Sequence, residues 1–291
     1  MILIPQRLFT SPDVRTLLRD GNNCILHKSL STEVIGREAY VSNHVVSIVI
    51  AGEQRLRTYD ETVIRVRAGE LVFLPRGVYY VTDLKPKEGN FQSLLFYFDD
   101  DIIQQYLKDV AVGEIDRAAA PEYLRFPQSA ALKTFATALL SVFGVRPFGK
   151  PFLGLKTLEL LHLINANTTD AAFSQFLFRL TLPKQRNIRQ FMEHNYDKPL
   201  KVEDYAYLTG RSPTTFRRDF KAYFDTTPQR WIKDRRIARA VELARAGGVS
   251  VGELAHAVGY DNTSYFIREF RERMGASPKQ FMLGLRGDWE V

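Results

Sequence analysis

The stretch SPTTFRRDFKAYFD, residues 212–225, decides the fold expected for the C-terminal part of the chain. Ser212 and Pro213 form a helix-start signal, because serine caps a first turn and proline fits the first helical position. At about 100° per residue, three aromatic side chains share one face of this helix: Phe216, Phe220 and Tyr223. The stretch therefore predicts an amphipathic helix with a packed aromatic face, which we call the first reader.

The opposite face of the first reader carries cations and hydroxyl groups, namely Thr214, Arg218 and Lys221, with Arg217 on its flank. A shorter helix, predicted at residues 202–209, precedes it and ends at Gly210, which permits a tight turn. This order is the helix-turn-helix arrangement, whose second helix enters a DNA major groove. A single helix of this kind is more often an ordinary solvated surface helix.

A 50-residue repeat favours the DNA-binding interpretation. The shift matches Thr214 with Ser264, Phe216 with Phe266, Arg218 with Arg268, Phe220 with Phe270 and Lys221 with Arg271. The turn glycines, Gly210 and Gly259, are 49 residues apart. Two copies are too few for a solenoid. We call the second copy, residues 263–271, the second reader.

A long helical pattern separates the two readers. Residues 229–246, QRWIKDRRIARAVELARA, keep a helical apolar period until Gly247 and Gly248 stop it. Eighteen residues would span about 27 Å at 1.5 Å per residue. Successive major-groove entries on one face of B-DNA are about 34 Å apart. We therefore predict that this segment, the spacer helix, holds the readers about one turn of DNA apart.

The composition agrees with a nucleic-acid partner. The 291 residues suffice for two domains and carry a net charge of +7. Residues 184–291 contain 20 Lys and Arg against 14 Asp and Glu, whereas residues 1–183 contain 20 against 19. Basic charge concentrated in one region is expected of polyanion binding.

Other classes of protein are disfavoured by the sequence. The single cysteine, Cys24, excludes an internal disulfide and a cysteine-based zinc site. The first residues lack a signal-peptide pattern, and no apolar run reaches the roughly 18 residues of a membrane helix. These observations predict a cytoplasmic protein that is not bound to a membrane.

The N-terminal part follows a different pattern. Short runs rich in Val, Ile, Phe and Tyr, separated by turn signals, predict strands at residues 45–50, 54–59, 62–66, 71–74, 79–82 and 93–98. Strands at this spacing predict a small antiparallel barrel or sandwich. Helical stripes follow at residues 128–143 and 155–165, and they either fold back on this domain or form a dimer interface. The fold class is therefore α+β, with domains at 1–170 and 183–291.

The C-terminal 108 residues resemble the DNA-binding domain of the AraC/XylS family of bacterial transcription regulators. The resemblance lies in Gly210-x-Ser212, Phe216-Arg217-Arg218-x-Phe220, Thr227-Pro228, Trp231-Ile232, Arg235-Arg236-Ile237, Val258-Gly259-Tyr260, Ser264-Tyr265-Phe266, Phe270-Arg271 and Ser277-Pro278-x-x-Phe281. It implies that both readers enter adjacent major grooves, joined by a linker helix.

The same resemblance implies which residues contact DNA. Base edges would be contacted from Thr214, Arg217 and Arg218 in the first reader and from Thr263, Ser264, Tyr265 and Arg268 in the second. Thr215 is also expected to bind DNA. Lys221 and Arg271 lie nearer the groove edge, where phosphates are expected. Ile267 occupies the position equivalent to Arg217, so the second reader either discriminates less there or contacts a thymine methyl group.

The N-terminal part resembles the cupin-like barrels of this family, and most closely those of its type III secretion activators. The resemblance lies in residues 68–77, AGELVFLPRG, with residues 155–161 and 191–196. It implies a homodimer whose N-terminal domain is controlled by a regulatory protein partner, and a small-molecule effector is the rival considered below. It also implies RNA polymerase as a partner if the protein is an activator. No cofactor is expected.

Two alternatives concern the N-terminal domain. A cupin enzyme would need clustered histidines, but His27 and His44 are isolated and Tyr80 stands where the family often has a histidine, so no metal site is expected. A small-molecule sensor would hold its ligand in the barrel. Its aromatic candidates, although usually plain core residues on strands, are Tyr40, Phe73, Tyr79, Tyr80 and Phe96. The sequence decides neither the effector, nor the operator, nor activation against repression.

Overall fold

A computed structural model of the chain describes residues 1–58, 61–110, 112, 121–143, 151–168, 171–182 and 186–287. The chain divides into two compact units, Met1–Leu182 and Pro183–Val291. The sequence predicts a first domain ending at residue 170 and a second beginning at residue 183, and both of these positions lie outside the described residues. No described helix combines the length and the apolar character needed to cross a membrane.

The first unit contains eleven strands within its described residues: β1 (Ile2–Ile4), β2 (Val14–Asp20), β3 (Asn23–Leu30), β4 (Val34–Val41), β5 (His44–Ala51), β6 (Glu53–Thr58), β7 (Val63–Arg67), β8 (Glu70–Leu74), β9 (Gly77–Leu84), β10 (Phe91–Phe98) and β11 (Leu124–Pro127). One sheet has the order β1-β4-β9-β6-β7, and the other has the order β11-β8-β5-β10-β3-β2. Only β1 and β4 pair in parallel among these described strands.

The two sheets are not closed into a barrel, because no ladder between described strands joins one sheet to the other. The α+β class is confirmed, and each of the six predicted strands has a counterpart among β5–β10. Four strands at the start of the chain and β11 carry no specific sequence prediction. Strand β2 exposes Arg15, Arg19 and Asp20, and strand β4 exposes Ile35 beside Arg37, so the apolar alternation of both strands is weak.

Four helices cover the six-stranded sheet, namely α1 (Asp100–Lys108), α2 (Ala130–Phe143), α3 (Pro151–Ala166) and α4 (Ala172–Leu180). The central strand β10, FQSLLFYF, is apolar on both faces, as expected of a strand buried on both sides. Phe96 packs towards the helices, whereas Leu95 packs between the sheets. The helical stripe of residues 128–143 therefore does fold back on its own unit.

The second unit is helical: α5 (Ile188–Asn195), α6 (Val202–Leu208), α7 (Pro213–Phe224), α8 (Pro228–Ala246), α9 (Val251–Ala257), α10 (Thr263–Met274) and α11 (Pro278–Gly287). The first reader is α7, the spacer helix is α8 and the second reader is α10. Their starts are fixed by side-chain caps, since Ser212, Thr227 and Asn262 each accept a backbone N–H of the first turn. The predicted helices are confirmed.

One packing prediction for the first reader is wrong. Tyr223 is 63 % exposed, and Phe224 packs in its place. The Phe224 ring lies 4.5 Å from the Phe220 ring and 4.8 Å from the Trp231 ring of the spacer helix, measured between centroids. The reason is that Phe224 is one full turn beyond Phe220, so both rings meet the same neighbouring helix.

Candidate nucleic-acid interface

The first reader separates a buried aromatic face from an exposed polar one. Phe216 and Phe220 are fully buried, whereas Thr214, Arg217, Arg218 and Lys221 are exposed. Thr215 is half-buried, and its hydroxyl accepts a hydrogen bond from Ser212 Oγ at 2.9 Å. The sequence-predicted residues of α7 therefore lie on one surface, with Thr215 at its edge beside the cap.

Both arginines of this surface form ion pairs with acidic side chains. Arg217 Nη2 lies 2.7 Å from Glu203 Oε1 of α6, and Arg218 Nη2 lies 3.0 Å from Asp219 Oδ1. Hydrogen bonds from Arg211 and Arg218 lower the pKa of Asp219, so its negative charge persists. Exposed ion pairs contribute only about 0.2–1 kcal/mol. Phosphates or base edges can therefore replace these carboxylates at small cost.

Lys221 and Arg271 differ from these arginines. Both are exposed, and neither has an ion pair among the described residues. Each follows its reader's arginine, Arg218 or Arg268, by three positions, which is nearly one helical turn. The two cations thus occupy equivalent places on the two helices.

The second reader repeats the separation of faces. Phe266 and Phe270 are fully buried, and the exposed members of its polar face are Ser264, Tyr265, Arg268 and Arg271. Thr263 is half-buried at the start of the helix. Arg268 stacks on Tyr265, with 5.0 Å between its Cζ and the ring centroid. Ile267 packs against the core of this helix-turn-helix unit.

An ionic cluster behind the second reader was missed by the sequence analysis. Glu269 is only 3 % exposed, and it accepts hydrogen bonds from Lys233 Nζ of the spacer helix at 2.8 Å and from Arg273 Nη1 at 3.1 Å. Arg273 Nε also donates to Asp234 at 2.7 Å. Burial acts to raise the pKa of Glu269, but hydrogen bonds from Lys233 and Tyr265 lower it overall. The signal in the sequence that could have indicated this cluster is the 50-residue repeat, because it matches Glu269 with the acidic residue Asp219.

The first unit contains a cavity of about 250 Å³ between its two sheets. Most of its lining is aliphatic, but one wall carries a polar cluster, in which Lys28 pairs with Asp83 and Gln54 Nε2 donates to Asp83 Oδ1 at 2.8 Å. Two buried atoms of residues that line this cavity, Gln54 Oε1 and Ser47 Oγ, have no hydrogen-bond partner among the described residues. The cavity therefore offers unused hydrogen-bonding groups in apolar surroundings.

None of the five aromatic residues predicted for a ligand lines this cavity. Phe73 and Phe96 belong to the core beneath the helices, and Tyr79 donates to the Pro75 carbonyl at 2.7 Å. Tyr40 is fully buried, and its hydroxyl accepts from Arg76 Nε at 3.2 Å. Tyr80 is stacked by Arg57. These residues serve packing, as aromatic residues on strands usually do.

The two histidines of the strands have separate surroundings. His44 is buried, and its Nε2 lies 2.9 Å from Asp100 Oδ1. Burial lowers the pKa of His27. Within the described residues there is no group of three or more His, Cys, Asp or Glu side chains that could hold a metal ion.

Two capped helix-turn-helix units on one continuous spacer helix, following a β-rich unit, define a transcription regulator with a DNA-binding domain and an N-terminal regulatory domain. Family comparison agrees, since residues 44–176 match the family described as ExsA N-terminal regulatory domain and residues 205–283 match the family described as Helix-turn-helix domain. The chain belongs to the AraC family of transcription regulators.

Curated relatives align with most of the chain. The virulence regulon transcriptional activator VirF of Yersinia enterocolitica is 27% identical over 243 residues, covering 80% of this chain and 85% of VirF. The thermoregulatory protein LcrF of Yersinia pestis is 27% identical, covering 78% and 83%. The transcriptional regulator ExsA of Pseudomonas aeruginosa is 26% identical, covering 82% and 86%. VirF and ExsA are named as transcription regulators, not as enzymes.

Among solved structures, an apo variant of ToxT from Vibrio cholerae aligns with 92% of this chain and 99% of its own, at 10% identity and a TM-score of 0.45.

Proposed function

We propose that the two readers enter adjacent major grooves of a single operator. The observation that carries this proposal is the pair of exposed cationic faces, each backed by buried phenylalanines, on helices joined by one continuous spacer. The spacer helix has 19 residues and spans about 28 Å at 1.5 Å per residue. That length is close to the roughly 34 Å between successive groove entries.

The proposed contacts divide into two kinds. Base edges are read from Thr214, Arg217 and Arg218 in the first reader, and from Thr263, Ser264, Tyr265 and Arg268 in the second. Thr215 contacts DNA at the edge of the first surface. Phosphates are bound by Lys221 and Arg271, because both are exposed, unpaired within the described part of the chain and one turn further along their helices. In this division, residues 183–291 bind DNA and residues 1–170 regulate that binding.

We further propose that the chain activates transcription and contacts RNA polymerase in doing so. The support is its similarity to VirF, which is named as a transcriptional activator. A reporter gene behind the selected operator decides between the alternatives, because an activator raises expression above the operator-only level and a repressor lowers it.

The DNA-binding proposal is tested by selecting bound sequences from a random duplex library with the full-length chain. We expect two short motifs separated by about one helical turn, 10–10.5 base pairs. As a matched control, the double variant Arg218→Ala, Arg268→Ala should select no such pair. A wild-type selection with no enriched sequence would contradict the proposal.

We propose that the first unit forms a homodimer through α2 and α3. An open groove between these helices is lined by apolar side chains, including Phe135, Leu139 and Phe152, and Val142 beside it is exposed. Lys156 and Glu159 also line the groove and pair at 2.7 Å. A two-fold axis brings the same surface of each copy together, so a groove with a projecting apolar edge and both signs of charge can complement itself.

A second candidate concerns how the regulatory unit is controlled. The two candidate effectors are a regulatory protein partner and a small molecule in the cavity between the sheets. The unpartnered atoms of Gln54 and Ser47 favour the small molecule, because buried polar groups without hydrogen bonds are costly. A metabolite panel is added to the full-length chain while its melting temperature is measured, since a ligand of the native state raises it by mass action. A cavity-filling Ser47→Leu variant should abolish that rise.

A further inference from the structure

Arg236 of the spacer helix is buried although it is an arginine. Arg236 is only 8 % exposed. It belongs to the Arg235-Arg236-Ile237 motif, for which no DNA contact is predicted. Nε donates to the Tyr196 carbonyl at 2.8 Å, and Nη2 donates to the Lys198 carbonyl. The guanidinium therefore binds backbone carbonyls at the end of α5. We call this stretch, residues 195–198, the junction segment.

The junction segment is also bound to the first helix-turn-helix unit. The hydroxyl of Tyr205, a fully buried residue of α6, shares its one proton between the Asn195 carbonyl at 2.8 Å and the Lys198 carbonyl at 3.1 Å. The Lys198 carbonyl thus accepts from both Tyr205 and Arg236. Helix α6 and the spacer helix are held through the same backbone atoms.

The turn of the second helix-turn-helix unit rests on this segment as well. Gly259 has φ +83°, and a β-carbon there would lie 2.3 Å from the Asp197 carbonyl oxygen and 3.1 Å from Arg236 Cζ. Glycine is required both by the left-handed backbone and by this close approach. Arg236 also lies over the ring of the next residue, Tyr260, with 5.4 Å between Arg236 Cζ and the ring centroid.

We propose that Arg236 is a positioning residue that fixes the distance and phase between the two readers, and hence the spacing of half-sites that the protein accepts. If the two helix-turn-helix units separated, the buried guanidinium would lose two carbonyl partners and its contact with the Tyr260 ring. Such a loss is costly for a charged group. The junction segment with Arg236 then adds a second connection between the readers to the one that the spacer helix makes. This inference rests on the proposed function.

Half-site spacing measures the rigidity directly. One inserted base pair moves a half-site by about 3.4 Å and turns it by about 35°, from 10–10.5 base pairs per turn of about 34–36 Å. A fixed pair of readers loses one set of contacts at the wrong spacing. A hinged pair follows the displaced half-site and keeps both sets.

The experiment measures binding of the full-length chain to the selected operator and to versions with one base pair added or removed between the motifs. For the parent protein we expect each change to weaken binding by about tenfold or more, since the lost contacts exceed one mismatch. For Arg236→Met we expect weaker binding to the parent operator and a spacing penalty below about threefold, because the readers then adjust. Gly259→Ala, which pushes the Asp197 carbonyl away, should reduce the penalty in the same way.

Arg239→Met is the matched control, because Arg239 is exposed on the same helix and pairs with Glu242 at 2.8 Å. It removes the same charge and should keep the parent spacing penalty. Thermal unfolding verifies that each variant folds. If Arg236→Met does not fold, Arg236→Lys keeps the charge but not both carbonyl bonds, and it should show a reduced penalty.

The outcomes separate the two proposals. A parent protein that selects no paired motif contradicts the proposed function. A parent protein that selects the pair but tolerates altered spacing, or an Arg236 variant that folds and keeps the full penalty, overturns the positioning role alone.

Discussion

Lys233 of the spacer helix and Glu269 of the second reader are joined across 2.8 Å, 36 residues apart in the chain. The Lys233 Nζ atom also lies 5.5 Å from the centroid of the Tyr265 ring, on the exposed face of the same reader. Lys233 of the spacer helix therefore contacts both a buried carboxylate and a side chain proposed to contact DNA. The buried side of the second reader, at Glu269, and its exposed polar face, at Tyr265, are thus linked through one cation.

The first prediction concerns the stability that this carboxylate provides. Glu269→Gln keeps the shape but removes the charge that Lys233 and Arg273 share, so we expect the second unit to lose about 1–3 kcal/mol of unfolding free energy. Urea unfolding followed by tryptophan fluorescence measures this, because both tryptophans, Trp231 and Trp289, belong to the second unit. The control is Glu272→Gln, an exposed neighbour, with an expected change within about 0.5 kcal/mol.

The second prediction is the pH dependence of that stability. The pKa of Glu269 in the folded chain is lowered from 4.5, so the unfolded chain binds this proton more readily. The contribution is fully present above pH 4.5 and is lost as the pH falls through the lower folded pKa. We therefore expect the stability difference between the parent and Glu269→Gln to be constant from pH 6 to 8 and to shrink below pH 4.5, as measured by urea unfolding over a pH series. A difference that grows on acidification would contradict this assignment.

The third prediction addresses the reading faces. Arg218→Ala and Arg268→Ala should each weaken specific binding by about 1–3 kcal/mol and relax the preference at one base position, because each removes a base contact. Lys221→Ala is the contrast, and it should weaken binding to all sequences alike and reduce the slope of log affinity against log salt by about one. Anisotropy titrations at several salt concentrations measure both effects. Two arginine variants that bind the operator as the parent does would show that α7 and α10 are not the readers.

The repeated region could be predicted closely from the sequence because its signals are local. A cap at Ser212, glycines in the turns and a 50-residue match fix the helices and their order. The ion pairs could not be predicted, since the contact between Arg217 and Glu203 joins residues 14 positions apart on different helices. The aromatic face was wrong at Tyr223 because helical period alone does not distinguish positions three and four residues beyond Phe220.

The N-terminal unit was less predictable for a physical reason. The regular strands β5 to β10 show apolar runs and turn signals. Strand β2 instead exposes several charged side chains, and β4 exposes Ile35 beside Arg37, so neither alternates clearly. The polar cluster of Lys28, Gln54 and Asp83 comes from three different strands. Only strand order brings these residues together, and no spacing in the sequence encodes that order.

The fourth prediction tests the proposed dimer. Val142→Glu places a charge on an exposed apolar position of α2 beside the groove, so we expect it to shift the chain from dimer to monomer. Ile35→Glu is the matched control, because Ile35 is also exposed and apolar but belongs to β4. Sedimentation of the full-length chain at micromolar concentration measures both. A parent chain that sediments as a monomer with and without DNA would count against the dimer.

The last prediction concerns the buried pair beside the cavity. Asp83 is fully buried, so Lys28→Met leaves its carboxylate with Gln54 as the remaining side-chain donor in the described part of the chain. We expect a loss of about 3–5 kcal/mol in the stability of the first unit, as for other broken buried pairs. In the double variant Lys28→Met, Asp83→Leu the uncompensated charge is gone, and Gln54 alone loses a partner, at about 1–3 kcal/mol.

The double variant should therefore be more stable than Lys28→Met alone, which means that the effects of the two substitutions are strongly non-additive. Hydrogen exchange of peptides covering β3 and β9 measures the effect in the full-length chain, because tryptophan fluorescence reports the second unit alone. If the single variant costs no more than the double one, water reaches Asp83, and the cluster is a hydrated corner of the cavity instead of a dry one. If the cluster is dry, water does not supply hydrogen bonds to Ser47 Oγ and Gln54 Oε1. The need of these two atoms for a partner is the basis of the small-molecule proposal.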